Sequence, residues 1–341
     1  MNAADRARLH ALPKLDLHLH LDGSLRVATA RDLARACGQP LPTEDLAELR
    51  RHLQVQPDCR SLPEFLAVFD FFMPLLRTPA AIERLAYELC EDCAREHVVY
   101  FETRFAPHLV ATDGFTPHDA VAAALHGLAQ GNRAFGTDSR LILCCCRHLP
   151  QHSLAVAKLA AAFRDRGVVG IDLACDEREP AAPHRAAFAH AEQHAVHRTV
   201  HAGEAGPPTL IREALDLLHA ERIGHAVALQ HDRELYARVR DEGIVLELNL
   251  TSNLQTCAVP SLATHPCPHY HRDGLRITLN TDDPGVSGIT LTGEYALAAD
   301  AYGFTDRDFH ALTATAVDAA FLDDSERRTL RARIDRAWPA A

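Results

Sequence analysis

Apolar positions along the chain fall into runs of strand length separated by stretches of helical spacing. The strand-like runs are Lys14–Leu21, Val98–Phe105, Leu141–Cys146, Val168–Leu173, Thr199–His201, Arg222–His225, Ile244–Asn249 and Leu275–Asn280. Between and after them the apolar period becomes that of an amphipathic helix, over Pro117–Phe135, Ser153–Asp165, Pro183–Ala195, Pro208–Ala220 and Asp232–Asp241. Strands that alternate with helices pair in parallel, because each crossover returns the chain to the same end of the sheet. Eight such strands predict an α/β fold of the (β/α)8 TIM-barrel type rather than a doubly wound sheet. There is no internal repeat, low-complexity tract or Gly/Ser linker, so residues 1–341 are expected to form one barrel domain.

The spacing is uneven. About 75 residues separate the first two strands, far more than one crossover helix needs. Helices are predicted there over Ala28–Ala36, Leu62–Leu75 and Ala80–Glu96. A connection leaving the C-terminal end of a barrel strand lies at the active-site mouth, so this insertion is expected to form a lid. Helices near Leu291–Ala301, Asp306–Ala319 and Ser325–Trp338 predict C-terminal additions to the barrel.

Composition narrows the function. The 47% apolar content supports a sizeable core. A net charge of −11 repels phosphate backbones and anionic lipid, arguing against a general nucleic-acid binder and a membrane anchor. No apolar run is long enough to span a bilayer, and the start MNAADRARLH lacks the apolar core of a signal peptide. The ten cysteines are therefore expected as thiols in a reducing cytoplasm.

Histidine placement supplies the chemistry. In Leu15-Asp16-Leu17-His18-Leu19-His20-Leu21-Asp22 the polar residues alternate with leucine. Strict alternation points the leucines at the helix layer and Asp16, His18, His20 and Asp22 at the barrel interior. Four inward polar groups are costly unless they are hydrogen-bonded or bind an ion. Two imidazoles about 6–7 Å apart along a strand can share one metal. The plain alternative is an edge strand with solvated histidines. Three more strand ends carry His201-Ala202-Gly203-Glu204, Gly224-His225 and Asn280-Thr281-Asp282-Asp283-Pro284. Each alone has a plain reading, His-Ala-Gly-Glu as a helix entry and Asp-Asp-Pro as a turn or N-cap, and Gly-His is the weakest signal of the three. Together they converge on the C-terminal mouth of one barrel. Histidine and aspartate suit Zn2+, which activates water, and a nearby Glu or His can move protons.

Other chemistries lack their motifs. His-Glu-x-x-His, a phosphate-binding glycine loop and Gly-x-Ser-x-Gly are all absent. Cys90 and Cys93 sit in a helical pattern and read as buried thiols, and Cys144-Cys145-Cys146 reads as strand core. Cys267 has no second cysteine at the spacing of the cysteine-ligated zinc deaminases.

These residues resemble the adenosine deaminases of the amidohydrolase superfamily. The matching stretches are residues 13–24, Ser61–Leu66, Val98–Tyr100, Ile171–Ala174, Val200–Glu204, Arg222–His225, Leu250–Asn253 and Asn280–Val286, in order over nearly the whole chain. The resemblance implies hydrolytic deamination of adenosine and 2′-deoxyadenosine, with one Zn2+ per chain held by His18, His20, His201 and Asp282. It makes Glu204 the proton donor to purine N1, His225 the residue that orients or deprotonates the attacking water, and Asp283 the partner of N7. Asp22 would hold a ribose hydroxyl, the Cys175 N–H would meet N3, and Leu62, Phe65 and Phe69 would wall the purine pocket or simply pack their helix. Departures touch no ligand. Cys175-Asp176-Glu177 stands where relatives have Gly-Asp-Glu, Gly224-His225-Ala226 where they have Gly-His-Gly, and Asn249-Leu250 where many have Cys-Pro. Competing readings are a deaminase of another 6-aminopurine (adenine, a methylated AMP or 6-aminodeoxyfutalosine), a catalytically inactive purine-binding barrel, and a lactone or phosphoester hydrolase. Val168–Leu173 contains no lysine to bridge two metals, which favours one.

Overall fold

A computed structural model describes residues 2–338. Eight strands form: β1 Lys14–His20, β2 Val98–Phe105, β3 Asp138–Cys146, β4 Val168–Ala174, β5 His197–Ala202, β6 Arg222–His225, β7 Val245–Leu248 and β8 Ile277–Leu279. Each pairs in parallel with the next in chain order. The ring closes through Asp282, whose N–H donates to His18 O at 2.8 Å and whose carbonyl accepts from His20 N–H at 2.7 Å. This is the (β/α)8 barrel that the pattern predicts. Most strand residues are buried on both faces, as they must be with helices outside and packed side chains inside.

The predicted helices also form, with ends shifted by a few residues. The insertion after β1 carries Val27–Cys37, Leu46–Leu53, Leu62–Phe72 and Pro79–Arg95. Leu46–Leu53, Leu250–Gln255 and Cys267–Arg272 escaped the pattern, because so short a helix repeats its apolar spacing too few times, and Ala3–Ala11 escaped it because it carries a single buried residue, Leu9. Capping supplies a clearer start: the Asp45 carboxylate accepts from Ala47 and Glu48 N–H, both at 2.9 Å. The C-terminal helices are Leu291–Tyr302, Asp306–Ala319 and Asp324–Ala337. Between the last two, the chain stoppers the N-terminal end of the barrel. Arg222 donates to Ala319 O at 2.9 Å and lies 3.6 Å over the Phe321 ring. No single helix among the described residues is long and apolar enough to cross a membrane.

One expectation about β1 fails. Its pairing with β2 shifts between Asp16 and Leu19, a bulge that breaks the period of two. Asp16 is thereby turned out of the barrel interior. Its carboxylate accepts from the Thr281 N–H at 3.2 Å and hydroxyl at 2.6 Å. With Leu19, Leu89 and Cys93 it lines a separate cavity of about 230 Å³ against Pro79–Arg95. Leu15 and Leu17 pack with Tyr100 and Val317, whereas Leu19 and Leu21 join the main core.

Candidate active site

The deepest part of the site is a network of charged side chains on strands that otherwise read as apolar. His18 Nδ1 lies 2.8 Å from Glu247 Oε2, and His201 Nδ1 lies 2.9 Å from Asp172 Oδ2. Arg104 joins the two carboxylates, donating to Asp172 and to Glu247 at 3.1 Å each. Arg222 pairs with Glu247 and Glu102, each at 2.6 Å. All of these side chains are buried. Burial alone would raise the Asp172 and Glu247 carboxyls. The neighbouring His201 and Arg104 on the first, and Arg104 and Arg222 on the second, outweigh it and hold both well below the usual carboxylate range. Both acids are thus ionised, and each takes the Nδ1 proton of its histidine.

That tautomer leaves bare Nε2 lone pairs facing one another. His18 Nε2 and His201 Nε2 are 3.0 Å apart, and His20 Nε2 is 3.2 Å from the latter. Asp282 Oδ1 lies 3.1 Å from His18 Nε2 and 3.3 Å from His20 Nε2. Acceptors packed this closely repel unless a cation stands among them, so the donor set fits a metal ion. One ligand atom each of His18, His201, His225 and Asp282 also falls within a 4.8 Å cluster. Gly224 makes room: a Cβ there would meet His18 Cε1 at 2.8 Å.

His225 reaches the cluster from the end of β6, and a chain of hydrogen bonds decides its tautomer. Cys267 N–H donates to His265 Nδ1 at 3.0 Å, so the neutral His265 carries its proton on Nε2, 3.2 Å from Asn253 Oδ1. Burial lowers His265 to about 4, which keeps it neutral. Asn253 then offers its amide N–H to His225 Nδ1 at 2.9 Å, joined by Asn249 at 3.2 Å. The His225 Nε2–H is left buried without a protein partner. It points between Glu204, at 3.7 Å, and Asp282, at 3.9 Å.

A second group of carboxyls lies above. Glu204 accepts from the Thr256 hydroxyl at 2.8 Å, and burial, then the charges of Asp282 and Glu177, push it up to about 8. Burial and the charges of Asp282, Asp22 and Glu204 hold Asp283 well above the usual range. Asp22 is raised to about 7, mainly by burial. Asp283 Oδ1 has no protein partner and fills the space a Cβ at position 23 would take, 1.8 Å away, so only Gly23 fits there. A cavity of about 690 Å³ opens above these groups. Leu62, Phe65 and Phe69 line it, so the lid expected after β1 is present.

All nine residues singled out from sequence meet here: His18 in the floor, and His20, Asp22, Cys175, His201, Glu204, His225, Asp282 and Asp283 on the cavity wall. Cys144 and Cys146, read from sequence as core, are buried but also line the cavity. Sequence reading passed over Glu102, Arg104, Asp172, Arg222 and Glu247 as functional residues. Their signal was present, since a charge inside an apolar strand run requires a partner. It also passed over Glu177, whose carboxylate accepts from the N–H groups of Glu204, Ala205 and Gly206 at 3.2, 2.9 and 2.6 Å. Glu177 so fixes the turn that carries Glu204.

Four site residues hold left-handed backbone: Cys175 at φ 76°, His225 at 64°, Ala226 at 52° and Asp282 at 63°. Strain of this kind gathers where a strand end is bent to aim a functional group. Cys175 and Ala226 are two of the positions that departed from the family's glycines, and the positive φ explains why glycine suits them.

The comparisons with known proteins agree with this geometry. The adenosine deaminase family profile matches residues 13–337. Adenosine deaminase from Gallus gallus is 38% identical over 346 residues, covering 97% of each chain. A zinc-bound amidohydrolase from Burkholderia ambifaria superposes with a TM-score of 0.89 at 30% identity, covering 99% of this chain and 94% of that one. Adenine deaminase from Arthrobacter aurescens gives a TM-score of 0.88 at 28% identity, covering 95% and 98%. With a profile that runs almost from end to end and a relative this similar over its full length, the chain belongs to the adenosine deaminase family.

Proposed function

We propose that this chain is a zinc hydrolase that converts adenosine and 2′-deoxyadenosine to inosine and 2′-deoxyinosine, releasing ammonia. The observation that carries the reading is the placement of two protonated carboxyls, Glu204 and Asp283, beside a cluster of bare imidazole nitrogens under one cavity. His18, His20, His201 and Asp282 would hold one zinc ion, which when bound supplies Lewis-acid activation of water near neutral pH. Glu204 donates its proton to purine N1 as C6 becomes tetrahedral, so the negative charge growing on the ring is neutralised. Asp283, also protonated, donates to N7. His225 aims its Nε2–H at the reacting centre. With Nδ1 already taken by two amide donors, it orients the attacking water rather than deprotonating it. Asp22 holds a ribose hydroxyl and the Cys175 N–H faces N3. Leu62, Phe65 and Phe69 cover the ring and exclude bulk water. The free thiols and the soluble substrate fit a cytoplasmic enzyme.

The test is metal content measured alongside ammonia release from adenosine. Stoichiometric zinc with turnover, both lost to a chelator and restored by Zn2+, is the expected result. Purified protein that turns over adenosine without metal would remove the proposed role of the cluster. The second reading, another 6-aminopurine as substrate, draws on the likeness to an adenine deaminase. Asp22 and the lid at the cavity wall favour a nucleoside over a free base. Turnover of adenine, a methylated AMP or 6-aminodeoxyfutalosine without turnover of adenosine would reverse that choice.

A further inference from the structure

Cys144, Cys146 and Cys175 line the substrate cavity, yet the deamination uses none of their sulfurs. Cys146 ends β3, is fully buried, and lies in register with Ala174 on β4. In a regular strand the residue after Ala174 would point to the opposite face. Cys175 does not, because its φ of 76° bends the chain as it leaves β4. Its side chain packs against the small cluster formed by Ala106, Cys144, Cys146 and Ala174. Cys146 and Cys175 therefore sit in one small cluster at the ends of adjacent strands, and the exposed His148 follows two residues after Cys146. Cys175 is partly open to the cavity, whereas Cys146 is covered.

These are the parts of an attacking and a resolving thiol. The neighbouring Cys146 and, against burial, the nearby His148 lower Cys175 to about 6, while Cys146 stays protonated. We infer that Cys175 and Cys146 form a reversible oxidation site, closing as an intramolecular disulfide when a small hydroperoxide enters the substrate cavity. With hydrogen peroxide as that hydroperoxide, the Cys175 sulfur attacks one oxygen, the O–O bond breaks, and the other oxygen takes up the proton the thiol has lost and leaves as water, giving a sulfenic acid. The Cys146 sulfur then attacks that sulfur, gives up its proton and expels the hydroxyl as a second water. Two thiols and one hydrogen peroxide so give one disulfide and two waters.

The experiment exposes the metal-loaded enzyme to hydrogen peroxide, alkylates the remaining thiols and maps the peptides. A Cys146–Cys175 cross-link is expected, lighter by two hydrogens and reversed by dithiothreitol. It should form at least about tenfold faster than oxidation of the exposed Cys37, which reports the oxidant dose. In Cys146→Ser the Cys175 sulfur should instead gain oxygen beyond the sulfenic acid, which dithiothreitol does not remove. No cross-link at a dose that oxidises Cys37, or wild-type Cys175 accumulating sulfinic acid, would overturn the proposal. The readout is chemical, so it stands or falls separately from the choice of adenosine as substrate.

Discussion

Two sets of carboxyl groups share one barrel and end in opposite protonation states. Asp172 and Glu247 lie deepest, and the arginines beside them and the histidines hydrogen-bonded to them keep them ionised. Glu204 and Asp283 lie one layer higher, pair with no arginine, and neighbour other carboxylates whose effect is larger, so both stay protonated at neutral pH. Burial is common to all four. The sign of the nearest charge decides which lose their proton and which keep it.

The most forceful way to break the comparison is Glu204→Gln. The amide keeps the shape but cannot deliver a proton. Turnover should fall on the order of 10²–10⁴-fold while metal content stays unchanged, read by ammonia release and metal analysis of the same sample. A variant with near-normal turnover would take Glu204 out of the upper set. In the lower set, Glu247→Gln or Asp172→Asn should do the reverse and weaken metal retention about 10–100-fold, measured by competition with a chelator. Removing the carboxylate outright, as in Glu247→Ala, strands the Arg104 and Arg222 charges and should cost about 3–5 kcal/mol in denaturant unfolding.

A pH profile sharpens the contrast between the sets. Glu204 carries its proton below about 8, so kcat should hold through neutral pH and fall as pH rises past that value. The lower carboxylates stay ionised and should add no limb in that range. A profile flat to pH well above 8 would argue against a protonated Glu204 in the reaction. The smallest effect concerns strained backbone at two strand ends around the site. Cys175→Gly and Ala226→Gly relieve left-handed strain, offset by glycine's extra unfolded-state entropy, so each should stabilise by up to about 1 kcal/mol in thermal or denaturant melts.

The sequence by itself determined a good deal. Eight apolar runs gave the strands, because parallel strands buried on both faces must be apolar almost throughout. The residues at their C-terminal ends gave the site, because that is where a barrel gathers side chains from separate strands. Tertiary structure alone decided three things. A bulge in β1 turned Asp16 away from the two histidines with which it alternates, since pairing with a neighbouring strand, not local order, sets the register. Glu177 gained its role from the β5 turn it hydrogen-bonds, a partner distant in sequence. Above all, protonation was not legible along the chain. Asp282 and Asp283 are adjacent and chemically identical, yet one is held ionised by the histidines it faces and the other neutral by the carboxylates it faces. A titration is set by the field of groups brought together from strands far apart, and only the closed barrel assembles that field.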